Sequence, residues 1–233
     1  STAHTVPHTQ VTEQGGGRID VATAMGDVRA SGSVSLDPLR TGGSEGRQQA
    51  ATVRYTNSGD RPVTLSLALG MATESGRTLP DGVVGLGSDT VRLAPGATAE
   101  VPLSTDARHA VRGNFYGYLS AKSADGTVLA HTTVSLAVHA PQHRLTVFYR
   151  GRDGKVEPDW LPTIWGPDGF VDYADRQAHV ALVEEGTYYV SSAFYDMTDH
   201  GGEAGTVVAP EVKVTEDRTV TLNAAEATQV HIR

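Results

Sequence analysis

Two short stretches decide the fold, Ala51-Thr-Val-Arg-Tyr-Thr-Asn57 and Val63-Thr-Leu-Ser-Leu-Ala-Leu69. In both, apolar and polar residues alternate with a period of two, which is the pattern of a β-strand with one buried face. The pattern predicts two inward-facing rows: Ala51, Val53 and Tyr55 in the first strand, and Val63, Leu65, Leu67 and Leu69 in the second. The intervening Asn-Ser-Gly-Asp is a turn signal, so we expect the two strands to form a β-hairpin.

Further strands with turns between them lie on both sides of this pair. The same reasoning predicts strands at residues 30–36, 90–94, 99–103, 115–122 and 127–138. The mid-strand Gly117 indicates close packing or a bulge. Seven short strands separated by glycine and proline turns at this spacing indicate a β-sandwich.

A second β-rich unit follows the segment His-Ala-Pro-Gln-His at residues 139–143, where proline removes a backbone donor and nothing anchors a core. Strands are predicted there at residues 144–150, 177–184, 187–196, 211–215, 218–222 and 229–232. We therefore predict an all-β chain with two β-sandwich domains, 27–140 and a smaller one at 143–233, after a short N-terminal segment, 1–26.

Composition and charge exclude several classes of function. The 233 residues are 39% hydrophobic and carry a formal net charge of −8. A basic surface for nucleic acid is therefore not expected. No apolar run approaches the roughly 18 residues that a membrane-spanning helix requires. The absence of cysteine excludes disulfides, cysteine nucleophiles and thiolate metal sites.

Five segments resemble parts of one protease family. Ser-Thr-Ala at residues 1–3, followed by Glu-Gln-Gly-Gly-Gly-Arg-Ile-Asp-Val-Ala-Thr-Ala at 13–24, resembles the end of a subtilisin-like (subtilase) peptidase domain. Leu-Ala-Pro-Gly at 93–96 and Phe-Tyr-Gly-Tyr-Leu at 115–119 resemble the fibronectin type III-like domains found behind large subtilases. Residues 219–227 resemble the prealbumin-like sandwich that ends many secreted bacterial subtilases, although Asn223 and Ala225 depart from the usual Asp and Arg.

The resemblance implies a non-catalytic C-terminal accessory region of a secreted serine endopeptidase, with residues 1–26 as the tail of its catalytic domain. It implies a subtilase catalytic domain and protein or peptide substrates as partners. The "Gly-Thr-Ser-Met-Ala" motif that holds the family's nucleophile does not occur, so we expect no catalytic residue and no enzymatic activity in this chain. Since the chain begins at Ser1 without a signal peptide, we expect a piece of a longer protein.

Aromatic residues cluster in and beside the segment 157–170. We regard Trp160, Trp165, Phe170 and Tyr173 as candidate ligand-binding residues, because aromatic rings offer rigid contact area. One alternative function is therefore a carbohydrate or cell-wall binding module. The other interpretation is that the rings plug an open end of the second sandwich. A purely structural spacer is the third function that the sequence leaves open.

An acidic segment at 196–203 raises the question of calcium. Asp196, Asp199 and Glu203 supply carboxylates that could wrap a Ca²⁺ ion in an irregular loop, although their spacing is not that of an EF-hand. The alternative is a solvated connection without a ligand. No other metal or cofactor is expected.

Overall fold

The computed structural model describes residues 1–18, 26–157, 160–198 and 201–227, and it divides the chain into two compact units, Ser1–His139 and Ala140–Arg233. Each unit is built almost entirely from strands arranged in two sheets, which confirms the all-β prediction. Within these described ranges, no helix combines the length and the apolar character that crossing a membrane requires.

The first unit has ten strands and two short helices among its described residues. The strands are β1 (Val28–Ala30), β2 (Ser33–Ser35), β3 (Leu39–Arg40), β4 (Gln48–Asn57), β5 (Val63–Ala72), β6 (Val84–Leu86), β7 (Thr90–Leu93), β8 (Thr98–Thr105), β9 (Gly113–Lys122) and β10 (Val128–His139). The helices are α1 (Val11–Gln14) and a 3₁₀ turn at Ala107–His109. One sheet has the order β1-β4-β8-β6. The other has the order β2-β10-β9-β5-β7, with β3 also paired to β10.

The inward faces of β4 and β5 are those that the alternation predicts, but the two strands do not form a hairpin. Val53, Tyr55, Leu65 and Leu67 are buried in the core between the sheets. β4 pairs with β1 and β8, whereas β5 pairs with β7 and β9 in the opposite sheet. The connection between them therefore crosses from one sheet to the other, and the hairpin prediction is wrong.

The predicted strand at 30–36 is also divided between the sheets. β1 pairs with β4 in one sheet, and β2 runs parallel to β10 in the other. The chain changes sheet at Ser31 and Gly32, whose carbonyl oxygens accept hydrogen bonds from the hydroxyls of Thr132 and Thr133 on β10.

The second unit has seven strands among its described residues. They are β11 (Gln142–Arg150), β12 (Thr163–Trp165), β13 (Val171–Tyr173), β14 (Val180–Glu184), β15 (Gly186–Thr198), β16 (Gly201–Val214) and β17 (Arg218–Asn223), with 3₁₀ turns at Pro167–Gly169 and Ala224–Glu226. The sheets have the orders β14-β11-β17 and β13-β12-β15-β16. Their facing sides enclose a core that includes Leu145, Val147, Ile164, Val190 and Leu222.

Strands run through parts of the two segments that carry the candidate ligand-binding and calcium-binding residues. The segment 157–170 contributes β12, and β13 follows it directly. The segment 196–203 lies in the hairpin of β15 and β16, where Asp196 is opposite Glu203 and Thr198 is opposite Gly201. The irregular connection predicted there is therefore wrong for the described backbone. The strand predicted at 229–232 lies outside the described residues.

Candidate functional site

The sheet that contains β12 presents one row of apolar side chains on its outer face. Ile164 in the middle of β12 is fully buried, so its neighbours along the strand point outward. Trp165 is directly opposite Val171 on β13 and Tyr189 on β15. These three side chains lie next to one another across three strands, and each is more than one-third exposed.

A second row and an extension of it lie beside the first row on this outer face. Thr163 is opposite Tyr173 on β13 and Ser191 on β15, and Ser191 is opposite Val208 on β16. Farther along the hairpin, Ala193 is opposite Thr206 and Tyr195 is opposite Ala204. The Trp165 indole Nε1 donates a hydrogen bond of 3.3 Å to the Ser191 hydroxyl, which ties the two rows together.

These eleven neighbouring positions form the aromatic face, and none of them carries a charge. They are Thr163, Trp165, Val171, Tyr173, Tyr189, Ser191, Ala193, Tyr195, Ala204, Thr206 and Val208. The exposed Lys213 lies on the same side of β16, opposite Thr187 and beyond the bulge at Glu211. Trp165 is 47% exposed, Tyr173 is 56% exposed and Tyr195 is 70% exposed. Contiguous exposed apolar surface of this kind marks an interaction site more often than single exposed residues do.

Trp160 does not belong to the aromatic face. Its ring stacks on Tyr149, with centroids 5.4 Å apart, and its Nε1 donates to the hydroxyl of the buried Ser192. It packs half-buried against the core of the second unit. The two tryptophans therefore do not form a joint platform, because one indole covers the core and the other faces solvent.

The remaining candidate residues divide in the same way. Phe170 follows the 3₁₀ turn and meets the inward-facing Tyr188 edge-on, with centroids 6.1 Å apart. Tyr173 lies on the aromatic face with Trp165. A ligand-binding role for these aromatic residues stays a prediction.

The acidic segment 196–203 lies only partly within the described residues. Asp199 lies outside the described residues, and Asp196 and Glu203 are placed only by their opposite positions in the hairpin. Among the residues that the structure describes, no three His, Cys, Asp or Glu side chains are grouped as a metal site would need. Calcium binding at 196–203 stays a prediction.

Sequence reasoning missed Tyr189, Tyr195 and Val208 as members of the face. The signal was present in the strand 187–196, Thr-Tyr-Tyr-Val-Ser-Ser-Ala-Phe-Tyr-Asp, where apolar residues occupy both parities. A strand with one solvated face normally alternates apolar and polar residues. Apolar residues at both parities therefore indicate a second face that contacts something else.

The N-terminal segment packs on the first unit. The Tyr118 hydroxyl donates a 2.7 Å hydrogen bond to the carbonyl of Gly15, and His131 Nε2 donates one of 2.8 Å to the carbonyl of Gly16. His4 and Arg18 exchange two backbone hydrogen bonds. Residues 1–18 are therefore held by β9 and β10, and residues 19–25 lie outside the described ranges. Burial lowers the pKa of His131, which favours its neutral form in this contact.

No protein-family model and no curated protein matches the chain. Among solved structures, the seventh PapD-like domain of human CEP192 is 14% identical over 60% of this chain and 96% of that one, with a TM-score of 0.34. The E. coli chaperone DraB is 11% identical over 79% and 96% of the two chains, with a TM-score of 0.31. The periplasmic chaperone SfaE is 12% identical over 83% and 99%, with a TM-score of 0.33.

Most of the similar structures are PapD-like fimbrial chaperones and not subtilase C-terminal regions, so the subtilase assignment is wrong. The accessory role, the subtilase partners and residues 1–26 as a catalytic-domain tail are withdrawn with it, as are the carbohydrate-binding and spacer alternatives. A serine endopeptidase parent is not supported. With identities below 25% and TM-scores below 0.5, we transfer no residue role from these proteins.

Proposed function

We propose that this chain is a non-catalytic protein-binding module that holds a partner protein against the aromatic face. The proposal rests on the observation that the positions of this face are adjacent and uncharged and include four exposed aromatic side chains, Trp165, Tyr173, Tyr189 and Tyr195. The centres of protein–protein interfaces are enriched in tryptophan and tyrosine and depleted of charged residues.

The orientation of Trp165 supports a role as an anchor. Its indole is held by the hydrogen bond to Ser191, and the backbone beneath it is paired on both sides, to β13 and to β15. A ring that is already ordered loses little conformational freedom when a partner covers it. Trp165 is therefore the residue of the face from which we expect the largest contribution to binding.

The chemistry of the face also restricts the partner. A charged group placed over these positions would lose hydration without meeting an opposite charge. The partner surface should therefore present aliphatic or aromatic side chains and uncharged polar groups.

We propose that this binding takes place outside the cytoplasm, in an extracellular setting, which fractionation of the producing cells would test.

The binding test uses a random 12-residue peptide library displayed on phage, selected on the intact 233-residue chain. Enriched peptides should be rich in apolar residues, and the double substitution Trp165→Ser with Tyr189→Ser should weaken their binding at least tenfold. The matched control is Leu182→Ser, because Leu182 is 60% exposed on the other sheet of the same unit. That control should leave binding unchanged.

Two results would contradict the proposal. One is a selection that enriches no peptide above background. The other is a set of peptides whose affinity falls as much with Leu182→Ser as with the double substitution, since this would indicate nonspecific attachment to apolar surface. Thermal unfolding of both variants, measured alongside, separates lost binding from lost structure.

A further inference from the structure

The edge of the same sheet is open along part of β16. β16 is the last strand in the order β13-β12-β15-β16, so one side of its backbone points away from β15. Among the described residues, the backbone groups of residues 204–209 make no hydrogen bond outside the pairing with β15. Unpaired N–H and C=O groups on an edge strand are a template for pairing with another strand.

The two halves of β16 differ in how this edge is protected. Its C-terminal half contains Pro210, a bulge at which Glu211 adopts a φ of 55°, and the exposed Lys213, whose carbonyl accepts a 2.7 Å hydrogen bond from Arg218. Proline, charge and bulges are the devices by which proteins block edge pairing. Residues 204–209, Ala-Gly-Thr-Val-Val-Ala, contain no proline and no charge. The edge at residues 204–209 is therefore without those devices.

We infer that the segment 204–209 pairs antiparallel with the same segment of a second copy of this chain. The segment is self-complementary, because the small or β-branched uncharged residues at 204–208 meet one another when the two strands cross at Thr206. Side chains directly opposite each other must share a face, so either Thr206 or Val207 lies on the twofold axis. The register centred on Val207 places Glu211 opposite Glu203, and like charges there are unfavourable. The axis therefore passes at Thr206, so residues 204–208 pair with the same residues of the second copy and Ala209 lies opposite Glu203.

Such a pairing joins two aromatic faces. A twofold axis perpendicular to the sheet keeps the outer face of both copies on the same side, so two four-stranded sheets become one sheet of eight strands. Val208, Thr206 and Ala204 of each copy then lie at the centre of a continuous uncharged surface. A second copy of the chain extends the uncharged surface across the paired edge, whereas an unrelated strand would not, so we infer that the second copy is the partner.

The test is sedimentation velocity of the intact chain from 5 to 500 µM. Five directly self-paired residues on each side make a small interface, so we expect a reversible dimer with a dissociation constant on the order of 100 µM. Thr206→Lys places two ammonium groups opposite each other and should weaken the dimer at least tenfold. The matched control is Thr221→Lys, because Thr221 is exposed on β17, the edge strand of the other sheet. It should leave the dimer unchanged.

A second variant checks the register. The chain contains no cysteine, so Thr206→Cys gives a single thiol that should form an intermolecular disulfide on mild oxidation, whereas Thr221→Cys should not. A monomer at 500 µM overturns the inference, as does a dimer that Thr206→Lys leaves intact or that Thr221→Lys weakens equally. These measurements contain no peptide, so the dimer and the proposed binding function can fail independently.

Discussion

Gly117 lies at the most crowded backbone position of the first unit, and replacing it with alanine should be severely destabilising. It is in the middle of β9, between β10 and β5, and opposite Met71. A Cβ atom at Gly117 would lie 1.8 Å from the carbonyl oxygen of Gly70 and 2.7 Å from the Cα of Met71. Both are backbone atoms of β5, so no side-chain rotation can relieve the contact.

The magnitude follows from the displacement that this contact requires. Real Cβ contacts essentially never fall below 3.0 Å, so β5 and β9 must separate locally by at least about 1.2 Å. Overpacking of a core typically destabilises by about 1–3 kcal/mol. The separation also weakens one or two ladder hydrogen bonds, at about 1 kcal/mol each. We expect Gly117→Ala to lower the free energy of unfolding by about 3–5 kcal/mol, a large fraction of a typical domain's stability.

Urea denaturation followed by far-UV circular dichroism measures this change. Both tryptophans lie in the second unit, so tryptophan fluorescence recorded in the same titration reports on that unit. The matched control is Gly70→Ala on the facing strand, where a Cβ meets nothing within 4 Å. It should change stability by less than about 1 kcal/mol and can be stabilising, since alanine restricts the unfolded chain. If the two variants differ by less than about 0.5 kcal/mol, the close approach of β5 and β9 is wrong.

Two further predictions concern buried polar groups of the first unit. Asn57→Ala should lower the free energy of unfolding by about 2–4 kcal/mol, because the buried Asn57 amide donates to the carbonyls of Arg61 and Leu93 and these bonds are lost. Asn57→Asp cannot donate these bonds, so chemical denaturation should show that it is destabilised at least as much. The Arg108 guanidinium holds the pKa of Asp106 well below its ordinary value, so the stability from this pair is present above about pH 4 and lost as the pH falls further. Asp106→Asn should reduce the dependence of the unfolding midpoint on pH between about pH 2 and 7. If the midpoint of the variant falls as steeply with acid as that of the original chain, the assignment is contradicted.

The alternation of residues predicts which side chains are buried, but it does not predict which strands pair. Val53 and Leu65 face the core as their spacing requires, because either a hairpin or a crossing connection satisfies that spacing. In the crossing connection the buried Asn57 amide donates to the carbonyl of the nearby Arg61 and to that of Leu93 at the end of β7. Leu93 is remote in sequence, so no local pattern reveals this second contact.

The candidate site was predictable only in part for a related reason. Trp165 and Tyr173 are visible as unusual aromatic residues, but their shared face depends on the pairing of three-residue strands that follow prolines and glycines. Such short strands carry too little periodicity to be predicted. Trp160 is five residues before Trp165, yet it stacks on Tyr149 inside the unit, because β12 begins only at Thr163. Proximity in the sequence groups both tryptophans among the candidate ligand-binding residues, whereas the structure separates them.

The absence of charge on the aromatic face is not a general property of this protein's sheets. The same sheet carries the exposed Lys213 on its outer side, opposite Thr187 and beyond the eleven positions of the aromatic face. On the first unit, Arg54 of β4 and Glu100 of β8 occupy directly opposite outward positions and form a 2.7 Å ion pair. Outward positions of a sheet do not contribute to its core, so charges are accepted there without loss of packing. The core of the second unit therefore does not require an uncharged outer face. A requirement for contact with another molecule does explain it, and the same requirement explains why the unprotected half of β16 adjoins that face.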